Sequence, residues 1–307
     1  MNAAVIQVSH FMKQYGSLVA VEDISFEVNR GEIFGLLGPN GAGKTSTLEC
    51  LEGLRRPDGG TLRILGVDPT RAPRRLTNLI GVQLQSSGLP GSMTPREAIR
   101  FFCAYHNVAP RYELLDRLGM DEKQNTQFAQ LSTGQQRRLA LALAMAHHPP
   151  VIFLDEPTAG LDVPSRIELH ALMHELQSEG TTIILATHDM AEAEKMAHRV
   201  AILLKGKIAA TGTPSQITAA GQGLTKISVS TDANCLAQNG VGFPAVSQRQ
   251  AKDEYAIFYS SNPGQTVPAI LSYVEAHQDH LVDLRVERPS LEERFLEITN
   301  HSSKIGE

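Results

Sequence analysis

Hydrophobic residues in this chain come in short runs, and their period changes at turn residues. Residues 5–11 alternate well enough for an edge strand, and Tyr15-Gly16 reads as the loop that follows. Residues 21–28 alternate apolar with polar positions, as a half-buried strand does. Asn29-Arg30-Gly31 then turns the chain into residues 33–37, a wholly apolar run of strand length. A helix is predicted after it, through Leu51, ending at Gly53. Pro57-Asp58-Gly59-Gly60 is a turn, and residues 61–65 return as a strand, so the opening of the chain is β-rich and mostly antiparallel.

Residues 80–84 form a further predicted strand, with Gln85 at its end. Thr94-Pro95-Arg96-Glu97 places a capping residue, a proline at the first helical position and a glutamate at the third. A helix therefore starts there and runs to about His106. A second helix is expected over 111–118. Ser132 caps a longer one over 135–147, whose end at His147-His148 suits partial positive charge. Residues 151–154 are apolar on both faces and end in Asp155-Glu156, the pattern of a central parallel strand. A helix over 164–178, a strand over 181–187 ending at His188, and two short strands near Val200 and Ile208 follow. Residues 218–223 are small, polar and glycine-bearing, which sets the expected domains at 1–218 and 219–307, with a helical insertion at about 86–145. The second domain reads strand (224–230), helix (232–238), strand (245–249), strand (255–260), helix (266–277), strand (281–286). That is the β-α-β-β-α-β order of a ferredoxin-like unit, closed by a helix capped at Ser290.

Composition narrows the classes. The 307 residues carry a net charge of −5, which does not argue for nucleic acid as a partner. Cys50, Cys103 and Cys235 are scattered, as in a reducing compartment, without the spacing of a disulfide frame or zinc site. The first residues lack a basic region followed by an apolar core, and no apolar run approaches the ~20 residues that span a bilayer. A cytoplasmic protein is expected, reaching any membrane through a partner.

The chemistry begins at Gly38-Pro39-Asn40-Gly41-Ala42-Gly43-Lys44-Thr45, which fits G-x-x-x-x-G-K-[ST] between a strand and a helix. Free N–H groups at a helix N-terminus suit a phosphate, and glycines let the backbone approach it. Lys44 is expected at the β- and γ-phosphates and the Thr45 hydroxyl on Mg²⁺. Asp155, after four hydrophobic residues, is the expected magnesium carboxylate. Glu156 is placed to take a proton from the water that attacks the γ-phosphate.

Leu131-Ser132-Thr133-Gly134-Gln135 resembles the LSGGQ signature of ATP-binding-cassette (ABC) ATPases, with Thr133 in place of the first glycine. The resemblance runs in family order from residue 1 to about 215. It implies that Tyr15 stacks on adenine, that Pro39, Asn40, Ala42 and Ser46 join the nucleotide loop, and that Asp162 belongs to the D-loop. It further implies that His188 is the switch histidine, contacting the γ-phosphate, and that Gln85 is the Q-loop glutamine at magnesium. Gln83 stands nearby, but the spacing to Thr94 selects Gln85. The fold implied is an α/β P-loop NTPase core of the ABC type, with mixed sheet, antiparallel β subdomain and helical insertion. ATP and Mg²⁺ are the implied cofactors. Ser132, Gly134 and Gln135 are implied to serve the nucleotide of a second copy or homologous ATPase subunit, packed head to tail.

Two further stretches, Gln85-Ser86-Ser87-Gly88-Leu89-Pro90 and Pro289-Ser290-Leu291-Glu292-Glu293-Arg294-Phe295-Leu296-Glu297, resemble export-type subunits of antibiotic and multidrug efflux. The implied partner is an integral membrane permease, with the chain peripheral on the cytoplasmic face. Ribosome- or DNA-directed ABC proteins usually carry two cassettes or a long coiled coil. Here there is one cassette, with no heptads and no basic patch. A nucleotide sensor without turnover would usually lack Glu156 or His188.

Overall fold

The computed structural model describes residues 4–83, 88–220, 224–237, 242–252, 254–287 and 290–304. The chain divides into two compact units, Met1–Thr213 and Pro214–Glu307.

In the first unit, β1 (Ala4–Tyr15) pairs antiparallel with β2 (Leu18–Asn29). β3 (Ile33–Leu37) is buried at every position, as a strand covered on both faces must be. It leads through the glycine loop into α1 (Lys44–Leu51), and β4 (Gly59–Ile64) returns to the free edge of β1. The short α2 (Pro73–Leu76) precedes β5 (Ile80–Gln83). The helical insertion comprises α3 (Pro95–Tyr105), α4 (Glu113–Arg117) and α5 (Thr133–Ala144). The core resumes with β6 (Val151–Asp155), α6 (Val163–Ser178), β7 (Thr182–Thr187), α7 (Met190–Met196), β8 (Arg199–Leu204) and β9 (Lys207–Gly212).

Two sheets result: a three-stranded antiparallel one, β2-β1-β4, and a six-stranded one, β5-β6-β7-β3-β8-β9. The latter is parallel except for the β8–β9 pair. Phe26 of β2 stacks on Phe34 of β3, centroids 5.3 Å apart, a contact worth about 0.5–1.5 kcal/mol beyond its area. One apolar core lies between the two sheets around α1; the other fills the opposite face beneath the helical insertion.

Tyr15 is the last residue of β1 rather than part of a loop, because irregularities in the β1–β2 register let the strand run on. α3 begins with the expected capping box: Thr94 Oγ1 accepts from Glu97 N at 3.3 Å, and Thr94 N donates to the Glu97 carboxylate at 2.9 Å. His147 does not carry the positive charge expected at a helix end. Its ring stacks on His106, centroids 3.7 Å apart, and burial lowers its pKa to about 4.

The second unit opens on α8 (Pro214–Ala219), which packs on the last helix, so the division falls before residue 214 rather than at 218–223. β10 (Thr225–Thr231), β11 (Val246–Lys252), β12 (Tyr255–Ser260) and β13 (Leu281–Glu287) form an antiparallel sheet in the order β11-β12-β10-β13. α9 (Pro263–Ala276) joins β12 to β13, and α10 (Leu291–Lys304) follows. The strand order is that of a ferredoxin-like sheet. The expected first helix over 232–238 is absent among the described residues, which show only a 3-10 turn, Cys235–Ala237. The Asp279 carboxylate accepts from the N–H groups of Ala233 and Cys235, at 2.8 and 3.0 Å. A distant side chain thus holds donors that a helix start would otherwise present.

Candidate functional site

The glycine loop closes against β8 and the start of β2. Gly38 has φ 151° and a Cβ there would lie 2.3 Å from the Leu203 carbonyl oxygen; Gly43 has φ 103° and a Cβ there would meet Ala20 O at 2.6 Å. Only glycine fits both positions. Gly43 is also the N-cap of α1 and makes no side-chain cap, so the first N–H groups of the helix face the loop.

Lys44 is 6 % exposed and its Nζ donates to the carbonyls of Gly38 at 2.7 Å and Pro39 at 3.2 Å. Its Nζ lies 3.9 Å from a Glu156 oxygen. Burial lowers the Lys44 pKa, while Glu156 and Asp155 oppose that shift. Thr45 Oγ1 donates to Asp155 Oδ2 at 3.2 Å. Asp155 ends β6; burial raises its pKa and the neighbouring Glu156 adds to this, against Thr45 and Lys44. The two oxygens form a hard donor set suited to a small divalent cation.

Glu156 follows in the left-handed region, φ 49°. Its N–H donates to Ala186 O at 2.9 Å, so the end of β7 fixes its direction. The His188 N–H donates to one carboxylate oxygen at 3.1 Å, and His188 Nδ1 lies 2.8 Å from the other. A carboxylate so oriented can accept a proton or align a water. Tyr15 Oη donates to Ser46 Oγ at 3.3 Å, and the cations of Lys13 and Arg55 lie 5.1 and 5.3 Å from the ring centroid.

One cavity of about 640 Å³ gathers Tyr15, Pro39, Asn40, Gly41, Gly43, Lys44, Thr45, Ser46, Asp155, Glu156 and His188. Gly38 and Ala42 shape its loop without lining it. Leu18, Val19, Ala20 and Lys205 line it too, and sequence reasoning missed them. The first three lie where β2 begins beyond the Gly16-Ser17 turn, a place that only the strand pairing reveals. Gln85 falls outside the described residues, as do Ser86, Ser87 and Pro289.

The remaining expected residues stand apart from this cavity. Ser132 caps α5 through a full capping box: its Oγ accepts from Gln135 N at 3.2 Å, and its N–H donates to Gln135 Oε1 at 3.0 Å. Asp162 caps α6, accepting from Ser165 N at 3.1 Å; the Ser165 hydroxyl, and then this N–H, lower its pKa. A Cβ on Gly134 would lie 3.5 Å from Leu161, so the signature turn and the Asp162 loop are neighbours. A second cavity, about 370 Å³, opens where β5, α3 and α5 meet, lined by Leu89, Phe102, Leu143 and Ala144 among others.

A phosphate-shaped loop, a cation, a hydroxyl–carboxylate pair and a positioned glutamate on a parallel sheet define a P-loop nucleotide-binding protein. Residues 21–159 match the family described as ABC transporter. The chain is 37 % identical over 235 residues to the Nod factor export ATP-binding protein I of Paraburkholderia xenovorans, covering 75 % of this chain and 77 % of that one. It is 32 % identical to the protein of the same name from Ralstonia nicotianae, over 99 % of this chain and 96 % of that one. A dimeric bacterial ABC transporter cassette, MJ0796, superposes with TM-score 0.63 at 25 % identity, over 68 % of this chain and 98 % of that one. This chain belongs to the ABC transporter ATP-binding protein family; it binds nucleotide and is an ATPase.

Proposed function

We propose that this chain is the ATP-hydrolysing subunit of an export-type ABC transporter, working as a head-to-tail pair beneath a separate membrane permease. The observation that carries the reading is the separation of two phosphate-binding features. One cavity holds Lys44, Thr45, Asp155 and Glu156, whereas the capped N-terminus of α5, with Ser132 and Gly134, lies outside it. Each is half of a site, and a second copy or a homologous subunit supplies the other half. The dimeric cassette named above supports this, and the export named in the relatives supports the direction.

Within the shared site, Lys44 and the α1 N-terminus hold the phosphates. Magnesium, where bound by Thr45 and Asp155, supplies neutralisation of phosphate charge. Glu156 takes the proton of the attacking water, and His188 holds Glu156 and reaches the γ-phosphate. Tyr15 lies at the adenine, Asp162 and Gln135 at the dimer face. On this reading transport runs through the permease and the chain sits on its cytoplasmic face; among the described residues no helix is long and apolar enough to cross a membrane. The ATPase rate per chain should therefore rise with protein concentration across the dimerisation range. A rate per chain that stays constant over that range would overturn the shared site.

The apolar groove beside α3 is the proposed seat of a cytoplasmic segment of the permease. Leu89 and Met93 pack partly into the core, so charge there would also disturb folding. Tyr105 lines the groove from α3, is 64 % exposed and offers the cleaner test. Tyr105→Glu should lower copurification of the multi-span permease by about tenfold, the loss of roughly 1.4 kcal/mol of burial. An unchanged permease yield would move the docking site elsewhere.

A further inference from the structure

The groove is apolar along its walls but not at its floor. Glu52, at the C-cap of α1, is 8 % exposed, and Gln83, the last residue of β5, is 1 % exposed; both face the groove. Among the described residues, Glu52 Oε2 and both side-chain polar atoms of Gln83 have no hydrogen-bond partner. Buried polar atoms are rarely left so, because each forfeits its bonds to water.

We propose that Glu52 and Gln83 form a receptor for one basic side chain, a guanidinium or ammonium group, carried by the permease segment that docks in the groove. This rests on the reading of the groove as the permease seat.

Charge selects a cation over a neutral donor. Burial, with the negative Asp155 and Glu49 adding to it, raises the Glu52 pKa to about 8. Arg55 is engaged with Glu49. The C-terminal end of α1 adds its own partial negative charge at Glu52. Among the described residues no lysine or arginine lines the groove. Its other titratable side chains are Tyr105 and the stacked pair His106 and His147, and burial lowers the pKa of both histidines. A hydroxyl or amide would satisfy the orphaned atoms but leave this negative field unanswered. A guanidinium answers both, by donating to the carboxylate and to the Gln83 carbonyl in one plane. The same helix that opens on the phosphates at Lys44 ends at this floor, so one rigid element joins the two sites.

The test uses the full chain, with n-butylguanidinium as the probe and n-butylurea as its neutral counterpart. The carboxyl carbon of Glu52 is followed by NMR as pH is varied. Saturating n-butylguanidinium should lower the apparent Glu52 pKa by about one unit or more, while n-butylurea leaves it in place. Glu52→Gln should weaken n-butylguanidinium binding by about tenfold, as loss of a charge-assisted pair does. Equal effects of the two probes, or equal affinity in Glu52→Gln, would overturn the proposal.

Unfolding is a separate readout. The folded pKa of Glu52 lies above its unfolded value, so its contribution is most favourable below pH ~4.5 and is lost as pH rises toward about 8. Glu52→Gln should therefore melt no lower than the parent at pH 8. The two readings fail separately: the groove as permease seat is lost when Tyr105→Glu keeps its permease, the cation receptor when Glu52→Gln keeps its affinity.

Discussion

Glu156→Gln should bind ATP as the parent does, hydrolyse it about 10²–10⁴ times more slowly, and accumulate as an ATP-bound dimer. The geometry explains why this substitution separates binding from turnover. Glu156 N–H stays on Ala186 O, and an amide oxygen still accepts from His188 N–H, so the loop keeps its shape. What disappears is the carboxylate that pairs with His188 Nδ1 and faces Lys44. Binding uses the loop and Lys44, which are untouched; the adjacent carboxylate, Asp155, is engaged by Thr45 Oγ1. Single-turnover hydrolysis beside calorimetric ATP affinity checks both halves. Turnover within a fewfold of the parent would place the base elsewhere.

Lys44→Ala should lower ATP affinity by at least about tenfold, and hydrolysis with it. Lys44 is the buried cation of the cavity, its charge drawn toward Gly38 and Pro39 carbonyls and toward Glu156. With phosphate present, the ammonium has a stronger partner than either carbonyl. Without it, two anions, Asp155 and Glu156, face the triphosphate with little to offset them. Calorimetry with ATP gives the answer directly, and equal affinity in the variant would remove Lys44 from the site.

Much of the cavity around the glycine loop was legible because its parts are local. The glycine loop, Lys44 and Thr45 are consecutive, and Asp155-Glu156 ends a run whose burial is written in four apolar residues. Ser132 was legible as a cap because capping uses contacts three residues apart. What escaped depends on chain segments far apart in sequence. Tyr15 stays in its strand through β1–β2 register shifts. The 3-10 turn at Cys235 replaces the expected helix because Asp279, 44 residues on, accepts from Cys235 N–H. The charge expected on His147 is suppressed by burial, to which the stacked ring of His106, far earlier in the chain, adds. The groove floor needs α1, β5 and the helical insertion together, so nothing in any one stretch announces it.

Glu156 occupies a backbone region that L-residues adopt at a cost of roughly 1–3 kcal/mol, and glycine or asparagine would sit there with less strain. On the proposed reading it is also the proton acceptor. At this position, then, heat resistance and turnover pull in opposite directions. A variant library selected on thermal survival alone would drift toward the residues that relax the loop, discarding the carboxylate, whereas selection on growth that needs export would hold it. Any programme to stabilise this chain by relieving backbone strain has to exempt position 156 from its design rules.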